Sequence, residues 1–397
     1  MAVWKERTKE KREQELKMSK FEVDSVLQEI KEANKTGDFN TRMEGNRRAV
    51  VFYVDKGDRN LGYIPWWTFT WKQIGLDSEK EAFDIILMTH PSSVNKLPKE
   101  CIPVPSDFDP TAKGPGRCLW VELTPISERD PRYYNHLNSL ECLANPAADF
   151  LLKYRTLLRA DQDTFPTPGM LGFWPTDLIC SRRAGTTHHL PSIENALIET
   201  AKAAGIVHHH WHNTDSAMMG PAHRVVAVSK LTTVLARFVK ATLFGPGTMC
   251  RCATCVQPPK ECYWGKGIFA GTLLLYTQEI AMNHIWTQRE YDEQNYNKLD
   301  VGTTREDIHI CVPAVLHARH NANPFSKNGF FDNKYRAYDM SNLTITNLRD
   351  YAIYMALTPT NMGTGGKLAW SRYLEANKKK PLSEVCQGKV WEPCVHC

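Results

Sequence analysis

The chain has 397 residues, of which 42% are hydrophobic and 23% are charged, so it is long enough for one large domain with appendages or for two domains. Its formal net charge of +5 is too small to indicate a nucleic-acid partner, and no basic stripe interleaved with aromatic residues runs along it. No segment has the roughly 18 consecutive apolar residues of a membrane span, and the N-terminal segment lacks the apolar core of a signal peptide. We therefore expect a soluble protein in the cytoplasm.

The N-terminal region is rich in Lys and Glu and in good helix formers. Apolar residues form a thin stripe along it: Leu16, Phe21, Val26, Leu27 and Ile30. This pattern over residues 4–35 predicts one or two helices docked on the main body. We assign residues 1–45 to an N-terminal helical extension.

Short, continuous apolar runs follow, and such runs are typical of the buried strands of a parallel sheet. They predict strands over 47–55, 83–90, 118–123 and 155–161. Helix-compatible stretches separate these runs, over 66–76, 135–143 and 147–154. The alternation predicts an α/β fold with a mixed, mainly parallel sheet flanked by helices. Ligands in such folds bind beyond the carboxyl ends of the strands.

The second half of the chain is predicted to be mostly helical, with helices over 191–206, 221–243 and 267–286 and a late strand over 307–317. No internal repeat is present. We expect the main domain to cover 46–340, with a Cys-rich insertion at 248–264. A C-terminal extension with a Cys/His tail covers 341–397.

The most informative local pattern is the acidic pair Asp161 and Asp163, which follows the buried run Arg155–Asp161. Residues i and i+2 at a strand end point to the same side, so both carboxylates can reach one hard cation such as Mn²⁺ or Mg²⁺. Pro166 and Pro168 end the strand abruptly and leave the carboxylates at an edge. Turn or helix-cap aspartates are the structural alternative for such a pair.

The segment LLRADQDTFPTP resembles the Asp-x-Asp segment of glycosyltransferases with the single Rossmann-like fold, the GT-A type. Other similar segments occur in the same order along the chain: RRAVVFYVD, YYNHLNSLECL, HNTDSAMMG and VLHARHNANPFSK. The last resembles the late His…Lys element of glycogenin-like retaining enzymes, although Phe-Ser-Lys stands in place of their Lys-Pro-Trp. The overall pattern is most similar to an uncharacterised glycosyltransferase-like family of eukaryotes and algal viruses. A viral source would place the protein in the cytoplasm of the host cell.

The resemblance implies a set of donor-side residues. Asp161 and Asp163 are expected to bind the metal ion, Asp163 more directly and Asp161 partly through the ribose or a water. His320 is expected as the third metal ligand, with His317 as the alternative. Lys327 is expected to contact the diphosphate.

The same resemblance places Tyr53 and Asp55 at the base and ribose of the donor, and Asn138 on the helix that lies along the donor. Arg159 is expected to be a structural ion-pair partner of the acidic pair, with a contact to the donor as the alternative. The implied donor is a nucleotide sugar, with UDP favoured, and the implied acceptor is a glycan or another hydroxyl compound.

Asp215 is the candidate catalytic carboxylate on the acceptor side, although Thr214-Asp215 stands where such enzymes usually carry a small residue and Gly. An inverting enzyme needs a carboxylate base, whereas in a retaining enzyme the leaving phosphate itself accepts the proton. The glycogenin-like pattern favours retention weakly. The run His208–His212 predicts a strand that lines the acceptor pocket, with a zinc site as the alternative.

The 12 cysteines divide into three groups. Four thiols in a short loop could hold a structural zinc ion, with disulfides or free thiols as alternatives: Cys250, Cys252, Cys255 and Cys262. Cys386 with the tail cysteines and His396 forms a second possible zinc site or, alternatively, completes the first. The remaining five are expected to be buried thiols, as in a reducing compartment: Cys101, Cys118, Cys142, Cys180 and Cys311. The Asn342-Leu343-Thr344 sequon is then expected to stay unmodified.

Two other functions compete with transfer. A metal-dependent phosphohydrolase should show a second carboxylate cluster, and none stands at convincing spacing. A nucleotide-binding protein with an inactive transferase fold should have lost the acidic pair or the His…Lys element. A dinucleotide oxidoreductase is not favoured, because no Gly-x-Gly-x-x-Gly follows the first strand. The sequence leaves the oligomeric state open.

Overall fold

A computed structural model of the chain describes residues 2–35, 46–130, 135–181, 191–209, 214, 216–243, 272–285, 298–299, 301–303, 305–318, 320, 325–377 and 379–386. These residues form an α/β fold whose central sheet is mostly parallel and is flanked by helices. The predicted fold class is confirmed at this level.

The described α-helices are α1 (Ala2–Lys35), α2 (Asp58–Gln73), α3 (Ile126–Arg129), α4 (Asn138–Ala144), α5 (Pro191–Ala203), α6 (Ala222–Leu243), α7 (Leu273–Ile285), α8 (Lys327–Phe331), α9 (Leu348–Leu357), α10 (Gly366–Ala376) and α11 (Leu382–Val385). Short 3₁₀ helices cover Pro91–Lys96, Asn135–Leu137, Pro146–Lys153 and Pro168–Met170.

The described strands are β1 (Arg48–Val54), β2 (Phe83–Thr89), β3 (Cys101–Pro103), β4 (Cys118–Glu122), β5 (Thr156–Arg159), β6 (Thr164–Pro166), β7 (Ile179–Cys180), β8 (Met218–Pro221), β9 (Val301–Gly302), β10 (Val315–His317), β11 (Tyr338–Asp339) and β12 (Gly363–Thr364).

The central sheet has seven strands in the order β3-β4-β2-β1-β5-β8-β7. The first five strands in this order are mutually parallel, and β8 runs antiparallel to β5. A second sheet has the order β6-β10-β9, with β6 antiparallel to β10. The chain therefore leaves the central sheet at the end of β5 and enters the smaller sheet within a few residues, and the acidic pair lies in that passage.

Both faces of the central strands β1, β2 and β5 are buried, which explains why β1 and β2 are nearly continuous apolar runs. Ala49 and Val51 of β1 pack into one apolar cluster with α1, α4, α5, α6 and α7. Val50 and Phe52 pack into a second cluster with α2, β6, β10 and α9. The period-two alternation along β1 thus divides the core into two layers of side chains.

Two buried ion pairs lie at the edge of the central sheet where the parallel strands begin. Arg47 pairs with Asp84, whose Oδ2 also accepts a hydrogen bond from the Tyr154 hydroxyl at 2.7 Å. Arg48 pairs with Glu81, and burial lowers the pKa of Arg48 to about 10 against the opposing effect of that glutamate. At this edge each buried charge is thus paired with another side chain. The acidic pair lies at the opposite edge, where the parallel strands end.

The predicted strands at β1, β2, β4 and β5 are confirmed, as are the helices over α5, α6 and α7. The late strand is shorter than the predicted 307–317, because only Val315–His317 forms it. One helix, α1, covers the N-terminal stretch and packs on α6 through ion pairs of Glu22 with Arg237 and of Glu29 with Lys230. No described helix has the length and apolar content that a membrane crossing requires.

The C-terminal region shares its core with the main domain. Leu348, Tyr351 and Tyr373 lie in the same apolar cluster as the sheet residues Phe52 and Leu158. The Tyr351 hydroxyl donates a hydrogen bond at 2.8 Å to the carbonyl of Pro166 in β6. The described residues beyond 340 therefore pack as part of one body with the sheet.

Two disulfides correct the expectation that the scattered cysteines are thiols. Cys101 and Cys118 face each other in the register of β3 and β4 and are bonded. Cys311 is bonded to Cys386, which the sequence analysis assigned to a possible zinc site with the tail. The thiol prediction is therefore wrong for Cys101, Cys118 and Cys311, because pairing depends on contacts between distant residues. Cys142 and Cys180, the described cysteines outside these two bonds, are buried thiols, as expected.

Candidate metal centre

The acidic pair lies at the carboxyl end of β5, where the chain turns from the central sheet into β6. Thr164 fixes this turn, because its hydroxyl donates to the carbonyl of Asp161 at 2.7 Å and accepts from the Trp67 indole nitrogen at 3.0 Å. The side-chain amide of Gln162 donates to the carbonyl of Tyr53 in β1. The turn is thus held from both sides, by α2 and by the neighbouring parallel strand.

The pairing of β6 with β10 brings a histidine to this turn. In the antiparallel register His317 lies opposite Thr164, and the backbone N–H of Ala318 donates to the Asp163 carbonyl at 2.9 Å. As a result, Nε2 of His317 lies 3.4 Å from Oδ1 of Asp163. Its Nδ1 lies 3.5 Å from the hydroxyl of Ser216, which is positioned to fix the ring orientation.

Potential ligand atoms of Asp161, Asp163 and His317 all lie within 4.8 Å of one another. Asp163 and His317 are buried, and Asp161 is half-buried, so the cluster is open on one side. Two carboxylates and one imidazole suit a first-row divalent cation such as Mn²⁺. Three protein ligands leave positions for water or a substrate oxygen. These residues therefore fit a cation that also binds a ligand.

A buried lysine completes the centre. Lys327 is the first residue of α8, and its ammonium group pairs with Oδ2 of Asp163. Ser326 fixes this position: its Oγ accepts from the Gly329 N–H at 3.1 Å, and its own N–H donates to the Tyr335 hydroxyl at 2.8 Å. The start of α8 therefore holds the ammonium group of Lys327 beside Asp163.

The charges around Asp163 keep it ionised. Burial acts most strongly and opposes ionisation, but the charges and hydrogen bonds of His317 and Lys327 together outweigh burial and hold the pKa of Asp163 below its usual range. The carboxylate is therefore available to a cation throughout the physiological pH range.

This pKa predicts a dependence of stability on pH. Because the pKa of Asp163 is lower in the folded than in the unfolded chain, its ionisation contributes stability that is complete above about pH 4 and is lost as the pH falls below that value. Replacing Lys327 with Met removes one of the two partners and raises the pKa of Asp163 in the folded chain toward its unfolded value, so the stability lost below about pH 4 should be smaller in the variant. Urea midpoints measured from about pH 2 to pH 7 test this; an equal loss of stability in acid for both proteins would contradict it.

Of the two candidate histidines, the geometry brings His317 into the cluster and leaves His320 outside it. His320 is exposed and follows β10 by three residues, and its carbonyl accepts from the Asn328 N–H at 3.4 Å. The sequence preferred His320 because of its spacing to Lys327. The β6–β10 register, which the sequence does not display, instead places His317 beside Asp163.

Arg159 lies where a structural partner of the acidic pair is expected. Its guanidinium is 3.0 Å from Oδ1 of Asp161 and donates to the Ser139 hydroxyl at 2.6 Å. These two contacts of the buried guanidinium link the acidic turn to α4 and orient Asp161.

The three residues that were expected to lie along the donor have different surroundings in the structure. Asp55 lies at the carboxyl end of β1, and its Oδ1 accepts from the Lys56 N–H at 2.8 Å. Asn138 is buried at the start of α4, and its amide donates to the Ser127 hydroxyl at 3.0 Å. Tyr53 is buried in the core, and its hydroxyl has no hydrogen-bond partner within the described ranges.

Tyr53→Phe is therefore expected to leave the free energy of unfolding unchanged or to raise it by up to about 1 kcal/mol, because it removes a buried polar atom that has no partner. Burial also raises the pKa of this hydroxyl well above its usual range. Urea unfolding of both proteins is the measurement. A loss of several kcal/mol would show that the hydroxyl has a partner in solution, as a bound nucleotide or water would provide.

A further polar group at the same edge was not predicted. His90 directly follows β2, and its Nε2 lies 3.2 Å from Glu128, which also pairs with Lys56. The hydrogen bond from Lys56, followed by that from His90, lowers the pKa of Glu128. The rule that ligands bind beyond the ends of parallel strands would have found His90, since it ends the apolar run of β2. Ser216 gave no sequence signal.

Several predicted residues lie outside the described residues. These are Asp215, the cysteines Cys250, Cys252, Cys255 and Cys262, the tail from Cys394 to Cys397, and His210 and His212. His208 and His209 are described and lie in neither a helix nor a strand. Nε2 of His208 is 3.9 Å from a carboxylate oxygen of the buried Glu279.

Comparisons with known proteins identify a family but no activity. No curated protein matches the chain. A family model described as "Domain of unknown function (DUF7164)" matches residues 42–380, which include the central sheet, the acidic turn, His317 and Lys327. The chain therefore belongs to the DUF7164 family.

Proposed function

We propose that the protein is a metal-dependent glycosyltransferase of the GT-A type, which transfers a sugar from a nucleotide-sugar donor to a glycan or another hydroxyl acceptor. One observation carries the proposal: Asp161, Asp163 and His317 gather into a cation-binding cluster, with Lys327 beside it, at the carboxyl end of a parallel strand. This is the location at which α/β folds bind ligands. A UDP-sugar is the favoured donor, as the sequence resemblance implies.

The residues divide into two roles in this function. Asp161, Asp163 and His317 would hold Mn²⁺ or Mg²⁺, which would supply positive charge against the donor diphosphate. Lys327 supplies a second positive charge at the same place, where its ammonium group stabilises the diphosphate as the bond to the sugar breaks. Ser216 holds the His317 ring, and Arg159 holds Asp161, so neither acts on the donor directly.

The proposal for the acceptor side rests on the resemblance. Retention of configuration is favoured weakly, with the leaving phosphate accepting the proton of the acceptor hydroxyl. If inversion applies instead, Asp215 is the candidate base. We also propose a structural zinc ion on four cysteines, Cys250, Cys252, Cys255 and Cys262. Metal analysis of the purified chain tests this proposal.

The proposal is tested by melting the protein with UDP, GDP and CMP, each with and without Mn²⁺. A ligand present at about 100 times its dissociation constant adds about 2.7 kcal/mol to stability, which is a shift of about 3 °C for a chain of this length. We expect one nucleotide to stabilise the protein only together with the metal. Stabilisation without turnover of any sugar donor would favour an inactive transferase fold, and release of phosphate from the nucleotide without an acceptor would favour a hydrolase.

His317→Ala and His320→Ala form a matched pair that tests the geometry of the centre. We expect His317→Ala to abolish the metal-dependent shift, because it removes one of three ligands, and His320→Ala to retain it. Titration of Mn²⁺ by electron paramagnetic resonance measures the affinity directly, and loss of a ligand should weaken it at least about 10-fold. The reverse pattern would return the ligand role to His320.

A further inference from the structure

An N-glycosylation sequon lies on an exposed loop between β11 and α9. Asn342 and Thr344 are both exposed, whereas the flanking residues Met340 and Ile345 are buried and anchor the loop. The Leu343 N–H donates to the Met340 carbonyl at 3.1 Å, so Asn342 lies in a turn. A turn that projects from anchored flanks presents its side chains to a modifying enzyme.

The atom that glycosylation would modify is accessible in this turn. Oδ1 of Asn342 accepts a hydrogen bond from Arg372 at 2.7 Å, which directs the carbonyl side of the amide toward the protein. The backbone of the loop is held by a side chain, since the Thr344 N–H donates to Oδ2 of Asp350 at 2.7 Å. Neither contact uses Nδ2 of the exposed Asn342, the atom to which a glycan would be attached.

The two disulfides bear on the compartment in which the chain folds. Disulfides form and persist in oxidising environments such as the lumen of the secretory route, and they are rare in the cytosol. The bonds Cys101–Cys118 and Cys311–Cys386 join four of the described cysteines. They weigh against the expected cytoplasmic location and remove the reason for expecting the sequon to stay unmodified.

We propose that Asn342 carries an N-linked glycan and that the chain matures in the oxidising secretory route. The donor is a lipid-linked oligosaccharide diphosphate. A bond forms between Nδ2 of Asn342 and the anomeric carbon of the first sugar. The bond from that carbon to the phosphate oxygen breaks, the lipid diphosphate leaves, and the amide nitrogen loses one proton. This inference is independent of the proposed transferase activity.

The test is secretion of the full chain from a eukaryotic cell behind an added leader, followed by mass spectrometry of its peptides. A second Asn-x-Thr sequon begins at Asn34, so all proteins carry Asn34→Gln. We expect the peptide of Asn342 to be mostly glycosylated. Asn342→Gln and Thr344→Ala should abolish the modification, and the matched Thr344→Ser should keep it.

A secreted, folded chain in which the Asn342 peptide is entirely unmodified would overturn the glycan assignment. Alkylation of thiols in the same sample tests the two bonds on which the assignment of the compartment rests: we expect Cys101, Cys118, Cys311 and Cys386 to be protected until reductant is added. Four freely alkylated thiols in the folded protein would show that the bonds do not form even under oxidising conditions, which would overturn that assignment.

Discussion

Asp163→Asn is expected to lower kcat/KM for sugar transfer by about 10²–10³-fold and to abolish metal-dependent nucleotide binding. Asp163 is the residue that contacts both the third ligand, His317, and the lysine of the centre. An amide keeps the shape of the side chain but removes the charge that holds the cation, and loss of one charge-stabilising group at a transition state has effects of this size. Initial rates with a UDP-sugar and Mn²⁺ measure the change.

The same substitution also changes stability, which must be separated from its effect on catalysis. Without the carboxylate, Lys327 becomes a buried charge that has lost its partner in the ion pair, and breaking a buried pair in this way costs about 3–5 kcal/mol. The double variant Asp163→Asn/Lys327→Met removes both charges, so we expect it to regain much of the lost stability but none of the activity. Equal activity of Asp163→Asn and the unmodified protein, at saturating Mn²⁺, would show that the acidic pair is structural.

The sequence predicted those parts of the fold that depend on local pattern. The strands β1, β2 and β5 are buried along their whole length, and most residues of β1 and β2 are apolar, so the pattern there is strong. Short strands such as β8, Met218–Pro221, carry no such pattern because two or three side chains cannot show a period. The sequence predicted the acidic pair for the same reason, since both carboxylates stand next to a strong strand.

The parts of the centre that depend on pairing between distant segments were beyond sequence reasoning. Whether His317 or His320 faces Asp163 depends on the register of β6 and β10, whose sequence separation is large. A shift of one residue in that register would point His317 to the opposite face of the strand. The close approach of the two segments also depends on Gly169, where an added Cβ would lie 2.0 Å from the Pro313 carbonyl oxygen. Neither the register of β6 and β10 nor the close approach at Gly169 can be inferred from the spacing of residues along the chain.

Removing the bond between Cys311 and Cys386 is expected to lower the free energy of unfolding by about 4 kcal/mol, which is about 5 °C in melting temperature. The bond closes a loop of 75 residues and ties the end of the chain to the segment that leads into β10. Most of the effect arises because an unfolded chain with this cross-link has fewer conformations. The variant Cys311→Ala/Cys386→Ala is compared with the unmodified protein by urea unfolding without reductant.

The second disulfide provides the control for this experiment. Cys101–Cys118 closes a loop of 17 residues, and its removal is expected to cost about 3 kcal/mol, less than that of the longer loop. Reductant should lower the free energy of unfolding of the unmodified protein by about the sum of the two effects. In each double variant it should lower this free energy only by the effect of the one remaining disulfide. If reductant leaves the unmodified protein unchanged, the four cysteines are thiols in solution. The first expectation from the sequence, a chain adapted to a reducing compartment, would then stand.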